Sequence, residues 1–410
     1  MKILFISRHF PNDPKILVHG GYKRMRMYLD AMKEIADLEV LFYAPSDTDV
    51  SSSAVSKVRQ SLFEHWNIKM NLFLCPTSKY KNDKKLQRWY SYGAGALSFL
   101  RQAGYNDING SRQLRAFETC LSHNPDAIFA HRLYSMVPLL TTRKPLKPVF
   151  LDLEDIEHIA LKRSINGFSK WYSKLIGYAH LPSLLRGERQ AIRLAHKTFV
   201  CSELDQQYLI NRWRVSGVVT IPNAVTIPER RFFTSWPTLL FIGSYRYKPN
   251  VDAAELLVEK IWPLIYRKMP GARLLIAGAP PDRIRGYDRN IPGVKFTGFV
   301  EDLDDLYRKS RVFCAPILCG AGTRIKIIEA AAHGKPIVAT RIGAEGLNMS
   351  DGSELLLRDD PGSFADACLQ LLRDSSLCER LGSAARAKAI QFYDRNNVVR
   401  LIQKHVKNEL

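Results

Sequence analysis

The feature that most constrains the fold is a repeated alternation of short β-branched runs with longer amphipathic stretches. Parallel strands need a long crossover between them, so this alternation is typical of α/β proteins with parallel sheets. The pattern occurs in two series, of which the second begins at Thr238 and extends to about Arg386. In the first series it predicts strands at 2–7, 38–44, 126–131, 148–153, 197–202 and 217–225, and helices at 22–35, 111–122 and 184–195.

A polar segment separates the two series. Residues 226–237, TIPERRFFTSWP, carry two prolines and neither a helical nor a strand period, which predicts a linker. We therefore predict two Rossmann-like domains, at 1–225 and 238–387, followed by a helix at about 388–408. Two further segments, Ser51–Ser53 and Lys79–Lys85, predict mobile loops.

Composition and cysteine usage narrow the class of protein. A chain of 410 residues with 46% apolar residues can bury large cores and does not have a disordered composition. Seven cysteines, an odd number without CxxC spacing, favour a reduced compartment and no disulfide framework. The start, MKILFISRHFP, is too short for a signal-peptide core, and no apolar run is long enough to span a bilayer. These features predict a cytoplasmic protein.

The net charge of +20 is concentrated in two windows. Residues 57–115 hold 11 Lys and Arg against 3 Asp and Glu, and residues 162–197 hold 8 against 1. Both windows interleave cations with aromatic residues, which suits an anionic membrane or nucleic acid, although a solvated helical surface over buried aromatics explains them equally well. Nucleic acid is the weaker alternative, because no zinc finger, RNP-type or helix-turn-helix signature accompanies the charge. The aromatic residues concerned are Trp66, Trp89, Tyr90, Tyr92, Phe99, Trp171 and Tyr172.

The most informative motif is the segment 319–339, CGAGTRIKIIEAAAHGKPIVA. Gly320 and Gly322 let the backbone approach a ligand, and the amides of a helix start favour anions. Arg324 and Lys326 at that start add positive charge. The combination predicts a phosphate-binding site.

The helix in this segment carries a second pattern. Lys326, Glu329 and His333 are spaced three and four apart and are predicted to share one helix face. A carboxylate such as Glu329 can accept two hydroxyl hydrogen bonds, as recognition of a ribose diol requires. The alternative is an ordinary surface pair between Lys326 and Glu329.

Several segments together resemble one family. The motif above, together with TLLFIGSYRYKPNVDAAELLVEKIWPLI, ARLLIAGAP, VKFTGFVEDLDDLYRKSRVFCAPI and IGAEGL, follows the order found in glycosyltransferase family 4. The resemblance is dense from Thr238 to Leu347 and looser in the first half, where Gly20-Gly21, His131 and VTIPNAV carry it.

The resemblance implies the GT-B fold, in which two Rossmann-like domains face each other across a cleft and a terminal helix returns to the first domain. It implies retaining transfer of a hexose from a UDP- or GDP-sugar to an acceptor, without a metal cofactor. The acceptor is expected to be a glycan or a lipid-linked intermediate of cell-surface polysaccharide synthesis, bound by the first domain. The aromatic, basic windows motivate the lipid-linked part and a peripheral membrane association.

The resemblance also suggests which groups neutralise the departing diphosphate. The family usually has Arg directly after Gly243, where this chain has Ser244, so the charge is expected from Arg246 or Lys248, with Lys248 preferred alongside Lys326. Exposed loop charge is the competing explanation for Arg246 and Lys248. Many members also carry a glutamate eight residues before Glu329, where this chain has Ala321. Backbone amides from Gly320 to Thr323 are expected to hold the sugar hydroxyls instead.

In the first domain, the resemblance maps His131, at the end of a predicted strand, onto a histidine that contacts the donor sugar. A purely structural histidine is the alternative. Gly20 and Gly21 are expected to precede a helix and admit a phosphate to its start, although alone they would be an ordinary loop.

Four acids follow the next strand. Glu154 and Asp155, with Asp152 and Glu157 beside them, could bind acceptor hydroxyls or, equally on their chemistry, a metal. The resemblance implies that no metal is needed. Asn223 is expected to form a turn rather than to act in catalysis.

Two alternative functions stay open at this point. One is a sugar-nucleotide epimerase on a similar fold, and the other is a non-catalytic, membrane-associated protein that has lost activity, which Ala321 favours and Glu329 disfavours. The sequence disfavours a simple dehydrogenase, because no strand is followed by G-x-G-x-x-G and a ribose-binding acid.

Overall fold

The computed structural model describes residues 1–11, 14, 20–78, 92–167, 170–229 and 234–409. The predicted loop at Lys79–Lys85, the aromatic residues Trp89 and Tyr90, and part of the predicted linker lie outside the described residues. Contacts between residues group the chain into two units. The first comprises Met1–Ile221 and Val399–Leu410, and the second comprises Pro222–Val398.

The described strands of the first unit form one parallel seven-stranded sheet. They are β1 (Lys2–Ser7), β2 (Asp37–Ala44), β3 (Asn71–Pro76), β4 (Ala127–His131), β5 (Val149–Glu154), β6 (Lys197–Val200) and β7 (Val218–Thr220). The order β3-β2-β1-β4-β5-β6-β7 reverses its direction of growth between β1 and β4. Ser7 lies opposite His131, and His131 opposite Asp152, so three strands end side by side at this point.

Helices connect these strands, and two of them differ from the predictions. They are α1 (Gly20–Lys33), α2 (Ser52–Trp66), α3 (residues 92–97), α4 (Ser111–Ser122), α5 (Val137–Thr141), α6 (Glu157–Ile165), α7 (Trp171–Leu194) and α8 (Glu203–Trp213). The mobile loop predicted at Ser51–Ser53 is wrong, because Ser51 caps α2 by accepting a 3.3 Å hydrogen bond from the Ala54 amide. Helix α7 begins at Trp171 rather than at Leu184 and contains Pro182, which removes one backbone donor without ending the helix.

The second unit contains a parallel sheet of six described strands. They are β8 (Thr238–Ile242), β9 (Arg273–Ala277), β10 (Val294–Gly298), β11 (Val312–Ala315), β12 (Ile337–Ala339) and β13 (Leu356–Leu357). Their order is β10-β9-β8-β11-β12-β13, so the direction of growth reverses between β8 and β11. Leu239 and Phe241 pack in one apolar cluster and Leu240 in another, which shows that the sheet is covered on both faces.

The helices of the second unit are α9 (Lys248–Leu256), α10 (Trp262–Lys268), α11 (Leu303–Lys309), α12 (Ile325–Ala332), α13 (Pro361–Arg373), α14 (Ser375–Tyr393) and α15 (Arg395–Lys407), of which α15 extends into the first unit. The terminal helix predicted at about 388–408 begins later, at Arg395, because the chain breaks at Asp394 between α14 and α15. At the break, Val225 pairs with the backbone of Tyr393 at 2.9 Å and of Arg395 at 3.0 Å. This pairing requires an extended residue and therefore divides the helix.

Close packing of α14 against α12 gives a prediction about stability. An alanine inside a helix normally gains about 0.5–1 kcal/mol over glycine. A Cβ at Gly382, however, would lie 2.1 Å from the carbonyl oxygen of Gly334. We expect Gly382→Ala to destabilise the second unit by about 2 kcal/mol, because overpacking against backbone outweighs the helix propensity.

Calorimetric unfolding of the full chain measures this change. Gly271→Ala is the control in the same unit, since its Cβ would meet nothing within 4 Å. A Gly382→Ala protein at least as stable as wild type would contradict the packing described here.

Candidate functional site

The predicted phosphate-binding segment forms the loop between β11 and α12. Gly320 and Gly322 adopt φ of 114° and 67°, a region that glycine alone enters readily. A Cβ at Gly320 would lie 2.8 Å from the Arg324 guanidinium and 3.1 Å from the hydroxyl of Tyr247. Because Tyr247 belongs to the loop after β8, the two loops meet where the sheet order reverses. Open α/β sheets bind ligands at this place.

Arg324 holds the loop in shape. Its guanidinium donates to the carbonyl of Ala321 and, at 2.7 Å, to that of Gly322. The residue is also the N-cap of α12 and provides no side-chain cap. The first amides of α12 therefore lack a side-chain acceptor from their cap residue, as an anion-binding helix start requires.

Lys326 joins the two loops. Its ammonium donates to Asn250 Oδ1 at 2.7 Å and lies 4.7 Å from the centroid of the Phe241 ring. Burial, with a smaller contribution from Arg324, lowers the pKa of Lys326 to about 7. Asn250 in turn donates to the carbonyl of Ser244 at 2.9 Å. Sequence reasoning missed Asn250, because nothing local distinguishes it from other polar residues in the first turn of a helix.

Glu329 lies one turn after Lys326 and is partly exposed. The prediction that His333 shares this helix face is wrong, because His333 is the C-cap just beyond α12. Its ring stacks on Tyr307 at 4.1 Å, and its Nε2 lies 3.3 Å from Asp304. His333 is therefore engaged away from Lys326.

The remaining predicted donor-binding residues differ in their burial and in their bonding partners. Thr323 is buried, and its hydroxyl accepts a 2.9 Å hydrogen bond from Asn223. Arg246 is exposed. Lys248 is also exposed and forms an ion pair with Asp252 on α9. Because an exposed pair contributes about 0–1 kcal/mol, Lys248 can exchange it for another anion at small cost.

In the first unit, His131 is completely buried at the end of β4. Its Nδ1 lies 2.9 Å from the Ser7 hydroxyl, while its Nε2 has no hydrogen-bond partner among the described residues and lies 4.0 Å from Asp152. Burial, then His9 and Arg132, keep the pKa of His131 well below its usual value, so the imidazole is neutral. Contact with a donor sugar stays a prediction.

Gly20 and Gly21 do not precede α1 but form part of its first turn. A Cβ at Gly21 would lie 3.2 Å from His9 Nε2 and 4.0 Å from Glu154. His9, at the end of β1, also packs edge-on against His131 at 5.2 Å. Sequence reasoning missed His9, which the structure places between the predicted glycines and the predicted histidine.

The predicted acceptor-binding acids share one arginine. Arg132 forms ion pairs with Glu154 at 2.9 Å and with Asp155 at 3.0 Å. Arg132 and Glu154 have φ of 66° and 57°, which for residues with side chains costs about 1–3 kcal/mol each. Strain of this kind concentrates at functional sites. The structure thus adds an arginine-centred cluster around these acids, and their contact with an acceptor stays a prediction.

Beneath this cluster lies a second pair. Arg24 of α1 bonds Asp152 at 2.7 Å, and Tyr28 donates to the same carboxylate at 3.1 Å. All three side chains are buried. Within the described residues, no three His, Cys, Asp or Glu side chains group as a metal site would require.

Comparisons with known proteins relate part of this chain to glycosyltransferases by sequence. Residues 236–374 match the family described as "Glycosyl transferases group 1". A phosphatidyl-myo-inositol mannosyltransferase of Mycolicibacterium smegmatis is 31% identical over 204 residues, 45% of this chain and 52% of that protein. The chain thus matches only about half the length of this relative.

Solved structures match over the whole chain. Sucrose-phosphate synthase from Thermosynechococcus elongatus has a TM-score of 0.70 at 16% identity, covering 99% of this chain and 98% of the other. HepE from Anabaena, in complex with UDP and glucose, has a TM-score of 0.66 at 15% identity, covering 99% of both chains. These likenesses establish the fold.

The lowered pKa of Lys326 predicts a change of stability with pH. An unfolded lysine keeps its proton to about pH 10, whereas folded Lys326 loses it near pH 7. Between these values the unfolded state binds the additional proton, so stability rises with pH. We expect wild type to gain up to about 3 kcal/mol over Lys326→Met from pH 7 to 10.

Urea unfolding of both proteins at each pH gives this difference. Lys335, whose pKa burial also lowers to about 7, is present in both and cancels. Parallel pH profiles for the two proteins would rule out the shift in Lys326.

Proposed function

Residues 236–374 are a group 1 glycosyltransferase domain in a chain of the GT-B fold, and from this premise we propose that the protein is a retaining hexosyltransferase. Its donor is a UDP- or GDP-sugar, and its acceptor is a glycan or lipid-linked intermediate of cell-surface polysaccharide synthesis. The match to a phosphatidyl-myo-inositol mannosyltransferase supports a lipid-linked acceptor, and the likeness to a UDP-bound structure supports a nucleotide-sugar donor.

One observation carries the proposal: Lys326 lies partly buried beside a glycine loop and the start of α12, where the sheet order reverses. A diphosphate placed there would meet helix amides and a cation in a low-dielectric setting, where such groups stabilise developing charge most strongly. Diphosphate would also raise the pKa of Lys326 and restore its charge. Glu329, one turn further along, would accept the ribose hydroxyls.

In the proposed reaction, the bond from the anomeric carbon to the diphosphate breaks as the acceptor oxygen attacks from the same face. The acceptor proton passes to a phosphate oxygen of the leaving group. Positioning and charge stabilisation dominate this step. Contact of His131 with the donor sugar is part of the same proposal.

The two alternatives predict different fates for the donor. An epimerase would release an epimer or free nucleotide without an acceptor, and a non-catalytic protein would bind a donor without consuming it. The relative in Mycolicibacterium smegmatis is named for mannosyl transfer, so neither alternative is favoured.

Two substitutions test the donor site. Lys326→Ala and Glu329→Ala should each reduce transfer at least about a hundredfold, because each removes a charged contact to the donor. Donor at a hundred times its dissociation constant should stabilise wild type by about 2.7 kcal/mol, seen as a thermal shift with UDP- or GDP-sugars, and this shift should vanish in both variants.

Lys268→Ala is the matched control, since Lys268 forms an exposed ion pair with Asp366 on another surface of the unit. It should bind donor and turn over as wild type does. Near-normal turnover in both site variants would refute the assignment of the donor site.

Metal removal is a separate prediction. Because the proposed site neutralises diphosphate with Lys326, Arg324 and helix amides, we expect transfer to be unchanged after extensive treatment with EDTA. Restoration of lost activity by Mg²⁺ or Mn²⁺ would show instead that a cation shares this role.

A further inference from the structure

The first half of α7 exposes large apolar side chains along one face. Trp171, Leu175 and Tyr178 are 73%, 59% and 51% exposed. Their spacing of four and three places them on the same side of the helix, and we call them the α7 apolar face. The opposite side, which includes Gly177 and Leu184, is buried. Contiguous exposed apolar surface of this kind marks an interaction site.

The surroundings of this face are positively charged. The window 162–197 holds eight Lys and Arg and one acid, Glu188. Glu188 is completely buried, where it accepts from the Glu157 amide at 2.7 Å and bonds His158. The surface of the window therefore carries cations without exposed carboxylates. Lys162 and Lys170 are exposed, and Lys170 lies 5.6 Å above the ring of Tyr172.

Hydrogen bonds hold α7 against other residues of the first unit. The ring of His180 bonds the carbonyl of Tyr92 at 2.9 Å, and Gln102 donates to the carbonyl of His180 at 2.9 Å. Ser183 donates to the carbonyl of Gly95 at 2.6 Å. Docking through α7 thus requires no folding of the helix, which removes an entropic cost of binding.

We propose that the α7 apolar face, flanked by Lys170 and Lys174, docks the protein on an anionic lipid surface. Trp and Tyr favour the interface between headgroups and acyl chains, while lysines beside them meet anionic headgroups. Among the described residues, no helix combines the length and apolar character needed to cross a bilayer, so the face would lie in the interface rather than span it. A surface that is cationic and acid-free matches anionic lipid by charge complementarity. The inference goes beyond the transfer reaction and does not depend on it.

Flotation of the full-length protein with vesicles tests the proposal. Wild type should float with vesicles of equal parts phosphatidylcholine and phosphatidylglycerol at low salt, and much less with phosphatidylcholine alone. The triple variant Trp171→Ser, Leu175→Ser, Tyr178→Ser should lower the partition coefficient at least about tenfold. Lys170→Glu with Lys174→Glu should weaken binding to the anionic vesicles and remove its salt dependence.

Leu204→Ser with Ile210→Ser is the matched control, because both residues are exposed apolar side chains on α8 of the same unit. This control should float like wild type. Circular dichroism and donor-induced thermal shifts should be the same in all variants, which separates a failure here from a failure of the donor site.

Two results would overturn the proposal. The first is wild type that stays unbound at low salt. The second is a triple variant that floats as well as wild type; if that variant also abolishes a wild-type dimer, the face belongs instead to contact with a second copy of the chain.

Discussion

The site in the second unit depends on the contact between the Lys326 ammonium and the Asn250 amide oxygen. The two side chains come from the helices that follow β11 and β8, adjacent strands whose connections leave in opposite directions. The contact therefore closes the gap that this reversal leaves at the strand ends. Here the cation is bonded to a neutral amide, and burial keeps it near its point of deprotonation. A phosphate would supply the counter-charge.

The first unit has a different arrangement of charges at its strand ends. At the ends of β1, β4 and β5, arginines are already paired with carboxylates: Arg24 with Asp152, and Arg132 with both Glu154 and Asp155. Breaking a buried pair by removing one partner costs about 3–5 kcal/mol, so these strand ends are held firmly. Positive φ at Arg132 and Glu154 adds strain that only such surroundings sustain. The cation of the second unit is thus bonded to a neutral amide, whereas the cations of the first unit are bonded to carboxylates.

The features that could be predicted from the sequence are those whose signal lies within a few consecutive residues. Apolar runs such as KILFIS identify strands because burial on both faces of a parallel sheet leaves little choice of residue. Gly320 and Gly322 were predicted to let the backbone approach a ligand, and the structure gives both a positive φ that few other residues adopt. Arg324 was predicted as a donor contact, and the structure adds that its guanidinium donates to the carbonyl of Ala321.

What the sequence could not predict involves partners far apart in the chain. Asn250 matters only because it meets Lys326, and His9 only because it meets Gly21 and His131. The break at Asp394 depends on pairing with Val225, which no local propensity records. The pairing of Arg132 with Glu154 and Asp155 was also missed, because the partners come from the ends of different strands.

The division of the chain into units has a consequence for biosynthesis. The first unit is discontinuous, since it needs residues 399–410 as well as 1–221. Ile402 and Val406 are fully buried, Gln403 bonds the carbonyl of Ala31 at 3.1 Å, and Glu409 pairs with Lys197. A ribosome delivers this closing segment only after the entire second unit has emerged. The unit that begins first is therefore completed last, and the nascent chain must keep its unfinished apolar surface from aggregating until translation reaches this segment.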